Sequence, residues 1–552
     1  MLDTLLILLP QTILAVLACL FILGGTFPVA PRRWGSLALG ALLLAAFALE
    51  SVSRLGFSND ALVPLAVTRD SLALGFQWVS LVLGALFVLM SMPAQAESKT
   101  AAEFYGMLLL ILSGLMLVSA AADLVLLFLA LELISVPTYV LLYLGRNDYA
   151  TQEAATKYFL LSVLSAAVLL YGFAFLYGVT GTTRLAGIHE VLLQSYQSPQ
   201  AETPNFGGSV LGIIALVLIS AGLGFKMAAV PFHFYAPDVY EGTSAFNAGL
   251  LAVIPKAAGL FALIRVVSQA MVGFETTGQQ LMLILAAISM TGGNCLALLQ
   301  TNVRRMLAYS SIAHAGYMLI GIAVGFWEDW NPDLALAGVG KLAGTGLPGG
   351  VNAAILYLLA YSLTTVGLFA VLVYLGRPGK QIEHIDDLTG LVKTHPFVAV
   401  AAAVFLFSMA GIPPLPGFWG KLAIFSTALS VRQPTANSLF AVHPAFAVLA
   451  VVGVINAAIG AVYYLRLISV MFLNDPLGTP RPSGGRPVLA AIVCSMILIA
   501  GFGVLPRPVF DYLQRDRQPP KNVAAKSGGA AAGAVNVVTA SEPGERPRPG
   551  SK

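Results

Sequence analysis

Residues 224–261 read GFKMAAVPFHFYAPDVYEGTSAFNAGLLAVIPKAAGLF, and this stretch decides what kind of chain it belongs to. Lys226 and Lys256 stand inside runs apolar enough to lie within a membrane. Between them Pro231 and Pro237 interrupt the helix, and His233, Tyr235, Asp238, Tyr240 and Glu241 fill the interruption. A charge at bilayer depth costs at least about 2.5–3.5 kcal/mol. A helix broken there leaves backbone groups unpaired unless they line a wet cavity walled by protein. A purely structural span needs neither feature, so the stretch reads as part of an ion path.

The composition agrees. Of 552 residues, 58% are hydrophobic and 10% are charged, and the mean hydropathy is +0.84. A soluble domain carries about 25% charged residues, so this is an all-α polytopic membrane protein whose first partner is the lipid bilayer. A net charge of +4 gives no reason to expect nucleic acid. Cys19, Cys295 and Cys494 all fall in apolar runs, without CxxC spacing or clustered histidines, so neither a metal site nor a disulfide frame is expected. Neither a dinucleotide-binding glycine fingerprint nor a P-loop is present, so the chain itself is expected to bind no nucleotide or other cofactor. The first apolar run lacks a basic lead-in and a small-residue cleavage site, and reads as a retained span.

A span needs about 20 apolar residues, and the sequence offers about fourteen. They lie near 4–23, 34–54, 71–91, 104–121, 123–144, 154–178, 209–231, 244–271, 280–299, 306–326, 351–376, 396–430, 441–473 and 487–505. The twelfth is too long for one straight helix, and GIPPLPGFWGK (411–421) must break it, because its prolines remove donors and clash with the preceding turn. The seventh span joins Lys226 to a Gly-Phe pair and a proline break, and the twelfth does the same with Lys421. They lie five spans apart, and an odd offset gives the two units opposite orientation, as in inverted-repeat transporters. With the N-terminus outside, the inside ends carry Arg32, Arg33, Lys99, Arg146, Arg304, Arg305, Arg377, Lys380, Lys393, Arg481 and Arg486. The outside ends carry only Arg54, Arg69, Arg184, Arg265, Lys341 and Arg432, so this orientation satisfies the positive-inside rule. Residues 1–510 form the transmembrane domain on this reading. Residues 511–552, rich in Pro, Gly, Ala and Arg, are expected to be a disordered tail.

Six side chains are candidates for proton transfer. Glu132 lies mid-span with no basic residue within a helical turn, so any partner comes from another helix. The bland alternative is a protonated carboxyl that ties helices together, but intramembrane acids usually mark ion paths. Lys256 is too deep to snorkel; burial opposes its charge and a nearby carboxylate favours it, so it can gain and lose a proton. Lys226 sits late in its span and could snorkel, although the continuing AAVPF argues that the membrane extends further. Lys421 stands just after the second break. His233, in the first break, and His314, flanked by Tyr309, Ser310, Ser311 and Tyr317, can exchange protons near neutral pH, or can simply be packing residues. A lone buried ion is expensive while a paired one is tolerable, so Glu132 and Lys226 are expected to face each other across the fifth and seventh spans.

Five motifs resemble subunit N of NADH-quinone oxidoreductase, the respiratory complex I family of antiporter-like membrane subunits. They are LALELISVPTYVLLYL (129–144), EAATKYFLLSVLSAAVLLYGFAFLYGVTGTT (153–183), FKMAAVPFHFYAPDVYEG (225–242), QTNVRRMLAYSSIAHAGYMLIG (300–321) and SMAGIPPLPGFWGKLAIF (408–425). The resemblance implies fourteen helices: three near 4–91, a five-helix repeat near 104–271, its inverted copy near 280–473, and a last helix near 487–505. It implies a proton path in which Glu132 and Lys226 pair, Lys256 continues the relay, His314 matches the family's histidine in the tenth helix, and Lys421 faces the far exit. It also implies that NADH, FMN, iron–sulfur clusters and quinone belong to partner subunits of the peripheral and membrane arms, in the inner membrane of a bacterium. The wording PDVYEG favours subunit N over the related subunits M and L. Pro255, immediately before Lys256, departs from the family pattern and is expected to kink that helix. Two other readings stay open: a Mrp-type cation/proton antiporter subunit, and a non-conducting scaffold of the membrane arm.

Overall fold

In hydrocarbon a peptide group finds no water, so apolar segments of this length are stable only as helices that satisfy their own backbone. The computed structural model describes residues 6–54, 66–144, 148–197, 210–271, 274–330, 348–376, 381–431, 442–476 and 484–514. The first six spans are α1 (Leu9–Gly24), α2 (Pro31–Arg54), α3 (Ser71–Gln95), α4 (Ala101–Ala120), α5 (Leu124–Leu144) and α6 (Tyr149–Thr180). A shorter helix, α7 (Leu185–Gln197), follows, then α8 (Val210–Met227), α9 (Ala236–Gly242) and α10 (Ala245–Ala270). Next come α11 (Glu275–Leu298), α12 (Val303–Trp330), α13 (Gly350–Leu375) and the single turn α14 (Leu391–Thr394). The chain continues with α15 (Pro396–Ala410), α16 (Pro416–Ser430), α17 (Pro444–Leu473), α18 (Gly485–Val504) and α19 (Arg507–Leu513). Among the described residues twelve helices are long and apolar enough to cross a bilayer, and α1 and α15 are shorter apolar helices. Each of the fourteen expected segments holds one of these.

Polar caps set several helix ends. Asp70 accepts from the Ala73 amide at 2.7 Å to start α3, Asp148 accepts from Thr151 at 2.8 Å to start α6, and Ser244 from Asn247 at 3.2 Å to start α10. The first break corrects a boundary. Span seven was expected to run to 231, but α8 stops at Met227 because Ala228 turns left-handed at φ 56°. The Ala229 amide then reaches the Gly224 carbonyl at 2.8 Å and the Ala228 amide that of Phe225 at 2.9 Å. This pair of bonds is a Schellman closure, normally made with glycine at the turning position. The second break closes identically: Gly411 has φ 92°, Ile412 bonds Phe407 at 3.0 Å and Gly411 bonds Ser408 at 3.1 Å. α10 is continuous through Pro255, so the expected kink does not end that helix.

The helices that bear the central candidates are the most enclosed: α10, α12 and α13 are buried along nearly their whole apolar length. α7 was not anticipated; Leu185, Ile188 and Leu192 form its buried stripe and it packs on α10. Arg265, counted among outside-loop charges, is instead buried in α10 and grips Asp70 with both guanidinium nitrogens, at 2.5 and 2.8 Å. The tail cannot begin at 511, because α19 continues to Leu513: Tyr512 donates to the Ser71 carbonyl at 2.7 Å, and Asn352 donates to that of Leu513 at 2.9 Å. Residues 515–552 lie outside the described residues, as do Arg146, Lys341, Arg377, Lys380, Arg432 and Arg481. Under α19 lies a cavity of about 340 Å³ whose wall includes Leu72, Phe76, Leu83, Ala257, Phe261 and Val509. Only two of its lining residues, Ser362 and Tyr512, carry a hydroxyl.

Candidate functional site

Lys226 is the last-turn residue of α8, and its stem is 4% exposed. Its ammonium stands 3.7 Å from Glu132 Oε1 on α5 and donates to Ser135 Oγ at 2.6 Å and to Ser162 Oγ at 3.2 Å. Tyr139 donates to Ser162 at 2.8 Å, which extends the cluster along α5 and α6. Glu132 and Ser135 share a face of α5 because residues three apart do so on a helix. The pairing expected of Glu132 and Lys226 is therefore the observed geometry.

Lys256, 1% exposed, lies mid-way along α10. It donates to both the carbonyl and the hydroxyl of Ser311 on α12, the latter at 2.6 Å. Tyr361 donates to the same hydroxyl at 2.9 Å, and its ring lies 5.0 Å from the Lys256 ammonium. Gly259, one turn beyond Lys256, sits against Lys226: a Cβ there would stand 3.0 Å from the Lys226 Cβ. The missing side chain lets α10 approach α8 beside the Lys226 stem.

His314 is one turn from Ser311 on α12. Its Nδ1 is 2.6 Å from the Tyr357 hydroxyl and its Nε2 is 2.9 Å from that of Tyr464, which in turn bonds Ser310. Lys421 reaches back across the second break and donates to the Met409 and Ala410 carbonyls at 2.9 and 2.8 Å. These are terminal carbonyls of α15 that no helical amide satisfies, and the negative end of a helix attracts a cation. Gly411 is required twice, by its φ and because a Cβ would lie 2.9 Å from Lys421 Cδ. The face of Tyr317 lies 5.3 Å from the Lys421 ammonium.

Of the remaining residues of the first break, Asp238 and Glu241 line a polar cavity of about 370 Å³. Arg305 bonds Asp238 at 2.9 Å and Glu241 at 2.6 Å, while Lys157 bridges Glu153 at 2.7 Å and Asp238 at 3.1 Å. Tyr235 and Tyr240 are buried. His233 stands apart from the lysine clusters; its Nδ1 is buried and has no hydrogen-bond partner among the described residues.

The structure thus brings Glu132 to Lys226, Lys256 to Ser311, and His314 to the tyrosines near Lys421. Sequence reasoning missed most of the groups between them, Ser135, Ser162, Tyr357, Tyr361 and Tyr464. Ser135 carried a signal, its spacing of three from Glu132; the others join across helices.

The sequence profile of the NADH:quinone oxidoreductase/Mrp antiporter transmembrane family matches residues 121–339 and 334–447. NADH-quinone oxidoreductase subunit N of Paramagnetospirillum magneticum is 35% identical over 503 residues, 91% of this chain and 95% of that one. A chain of respiratory complex I from Thermus thermophilus with bound aureothin superposes with a TM-score of 0.69 at 31% identity, covering 91% of this chain and 99% of that one. A chain of the Mrp complex from Dietzia reaches a TM-score of 0.73 at 19% identity over 93% and 96% of the two chains, which is a likeness of fold.

Proposed function

Because the chain belongs to the subunit N family of NADH-quinone oxidoreductase, the proton-translocating membrane-arm subunits of respiratory complex I, we propose how its own residues carry the proton. Glu132 and Lys226 act as a switched pair. Closed, the carboxylate holds the ammonium; opened, a lone ammonium at this depth is costly, and the proton moves towards Lys256. From Lys256 the Ser311 hydroxyl and Tyr361 lead to His314, and the tyrosines around it lead to Lys421, the group nearest the far exit. His233 exchanges protons with water at the break. The observation that carries this reading is the burial of three lysines, 4%, 1% and 7% exposed, each bonded to hydroxyls or carbonyls at bilayer depth.

The chain is a multi-pass membrane protein and works in complex I with other subunits. We further infer two inverted five-helix units, near 104–271 and 280–473, with three helices before and one after. The matching Schellman closures at the two breaks, each with a lysine beside it, support that division. NADH, FMN, the iron–sulfur clusters and quinone are assigned to partner subunits, since this sequence has no motif for them. A bacterial plasma membrane is the proposed location.

Lys256 tests the path. Lys256→Ala is expected to leave the complex assembled while sharply reducing proton pumping and coupled quinone reduction. Lys256→Arg should fail as well, since arginine keeps its charge at any accessible pH. Normal pumping by assembled Lys256→Ala complex in vesicles overturns the relay.

A further inference from the structure

Asn294 on α11 is 1% exposed and lies outside the path described above. Its amide is fully engaged. Nδ2 donates to the Met290 carbonyl at 2.9 Å, and the Tyr317 hydroxyl and Asn456 Oδ1 each lie 3.4 Å from it. Oδ1 accepts from the Tyr463 hydroxyl at 3.0 Å. A backbone carbonyl can only accept, so Met290 fixes which end of the amide is nitrogen. Asn456 is itself held, donating to Thr291 Oγ1 at 3.2 Å and to the Val452 carbonyl at 2.9 Å. α17 presents Gly460 to this cluster, and a Cβ there would come within 3.1 Å of Asn294 Oδ1.

The two tyrosines that Asn294 joins lead one towards His314 and the other to Lys421. Tyr463 packs on Tyr464 with ring centroids 4.4 Å apart, and Tyr464 bonds His314. Tyr317 offers its ring face to the Lys421 ammonium. A cation is held over an aromatic ring only while the ring keeps its orientation. One amide therefore fixes both the ring that supports His314's partner and the ring that faces Lys421. A buried amide in a membrane is unfavourable unless bonded, and a bonded one holds its neighbours across helices.

We propose that Asn294 is a positioning residue for proton passage between His314 and Lys421, acting through the Tyr317 hydroxyl. The proposal rests on the path reading, and the experiment keeps the two apart. Intact complex I carrying Asn294→Leu, Tyr317→Phe or both is reconstituted in vesicles, and the pumping rate is measured beside assembly on native gels. Asn294→Leu should lower pumping about fivefold, the factor corresponding to the net worth of one hydrogen bond. In the Tyr317→Phe background it should cost less than it does alone, since only the Tyr463 bond is then left to lose. A loss that multiplies with that of Tyr317→Phe, or full pumping by assembled Asn294→Leu complex, overturns the proposal. If Asn294→Leu does not assemble, Gly460→Ala decides: it crowds Asn294 Oδ1 without removing the amide, and unchanged pumping overturns the proposal. Lys421→Met serves as the control for the path: if it pumps normally the path itself fails, whereas a defect there beside full activity in Asn294→Leu refutes this inference alone.

Discussion

Replacing Glu132 by Gln removes one charge from a pair whose ions stand 3.7 Å apart. At an effective dielectric of about 20, two unit charges at that distance attract by about 4 kcal/mol. Glu132 keeps 24% of its side-chain surface exposed, so water screens part of this, and about 2 kcal/mol is a working figure. That corresponds to a factor of about 30 in an equilibrium or a rate. Lys226 retains Ser135 and Ser162 as acceptors, so Glu132→Gln should slow turnover by up to that factor without unfolding the subunit. Glu132→Asp should be milder, because it keeps the charge and shortens only the reach. The assay is a double-mutant cycle with Lys226→Met, read as NADH-driven pumping in sealed vesicles at verified assembly. A double variant no worse than the worse single variant is the expected result. Defects that simply multiply would mean that the residues act independently, and the switch would have to be abandoned.

Two further outcomes can be checked directly. Cysteines placed in the connections at 145–148 and 377–384 should label only from the cytoplasmic side, as the distribution of basic residues requires; labelling of either from outside reverses the orientation. Burial raises the Asp70 carboxyl, but the bidentate Arg265 and the Ala73 amide outweigh it and hold the group below the usual carboxylate range. A lowered folded-state pKa contributes stability that is present above about pH 4 and is lost as the pH falls towards the folded value. Asp70→Ala should therefore cost about 2–4 kcal/mol at pH 7 by leaving buried Arg265 without its partner. The difference from wild type should shrink on acidification below that point, and an equal loss at every pH in thermal melts would refute the ion-pair account.

Much of this architecture was legible in the sequence because membranes restrict the choices. Apolar length alone located each span, and prolines located both breaks. Glu132 and Lys226 could be paired before any coordinates, since each lacked a counterion nearby in its own helix. The end of α8 was hidden because its closure uses Ala228 where glycine is the usual signal. α7 was overlooked because its buried stripe, Leu185, Ile188 and Leu192, lies in a segment too short to span. Tyr357, Tyr361 and Tyr464 are ordinary polar residues until helix packing sets them around His314, as is Asn294 until it meets Tyr317 and Tyr463. The tail was begun at 511 because the stretch that follows is rich in Pro, Gly, Ala and Arg, yet Tyr512 and Leu513 anchor the last turn of α19.

The apolar cavity beneath α19 has an electrical consequence. A hollow with such walls holds little water, and it shares no lining residue with the polar cavity beside Asp238 and Arg305. Voltage across a membrane falls where the medium polarises least, so a hollow walled by residues such as Leu72 and Ala257 would take more of the drop than a cavity lined by ions. Lys256, the immediate neighbour of Ala257, stands mid-way along its helix beside that hollow. Carrying one proton through a full 100 mV costs about 2.3 kcal/mol. On the path proposed above, slowing of turnover by the membrane potential would then report on the transfers at Lys256.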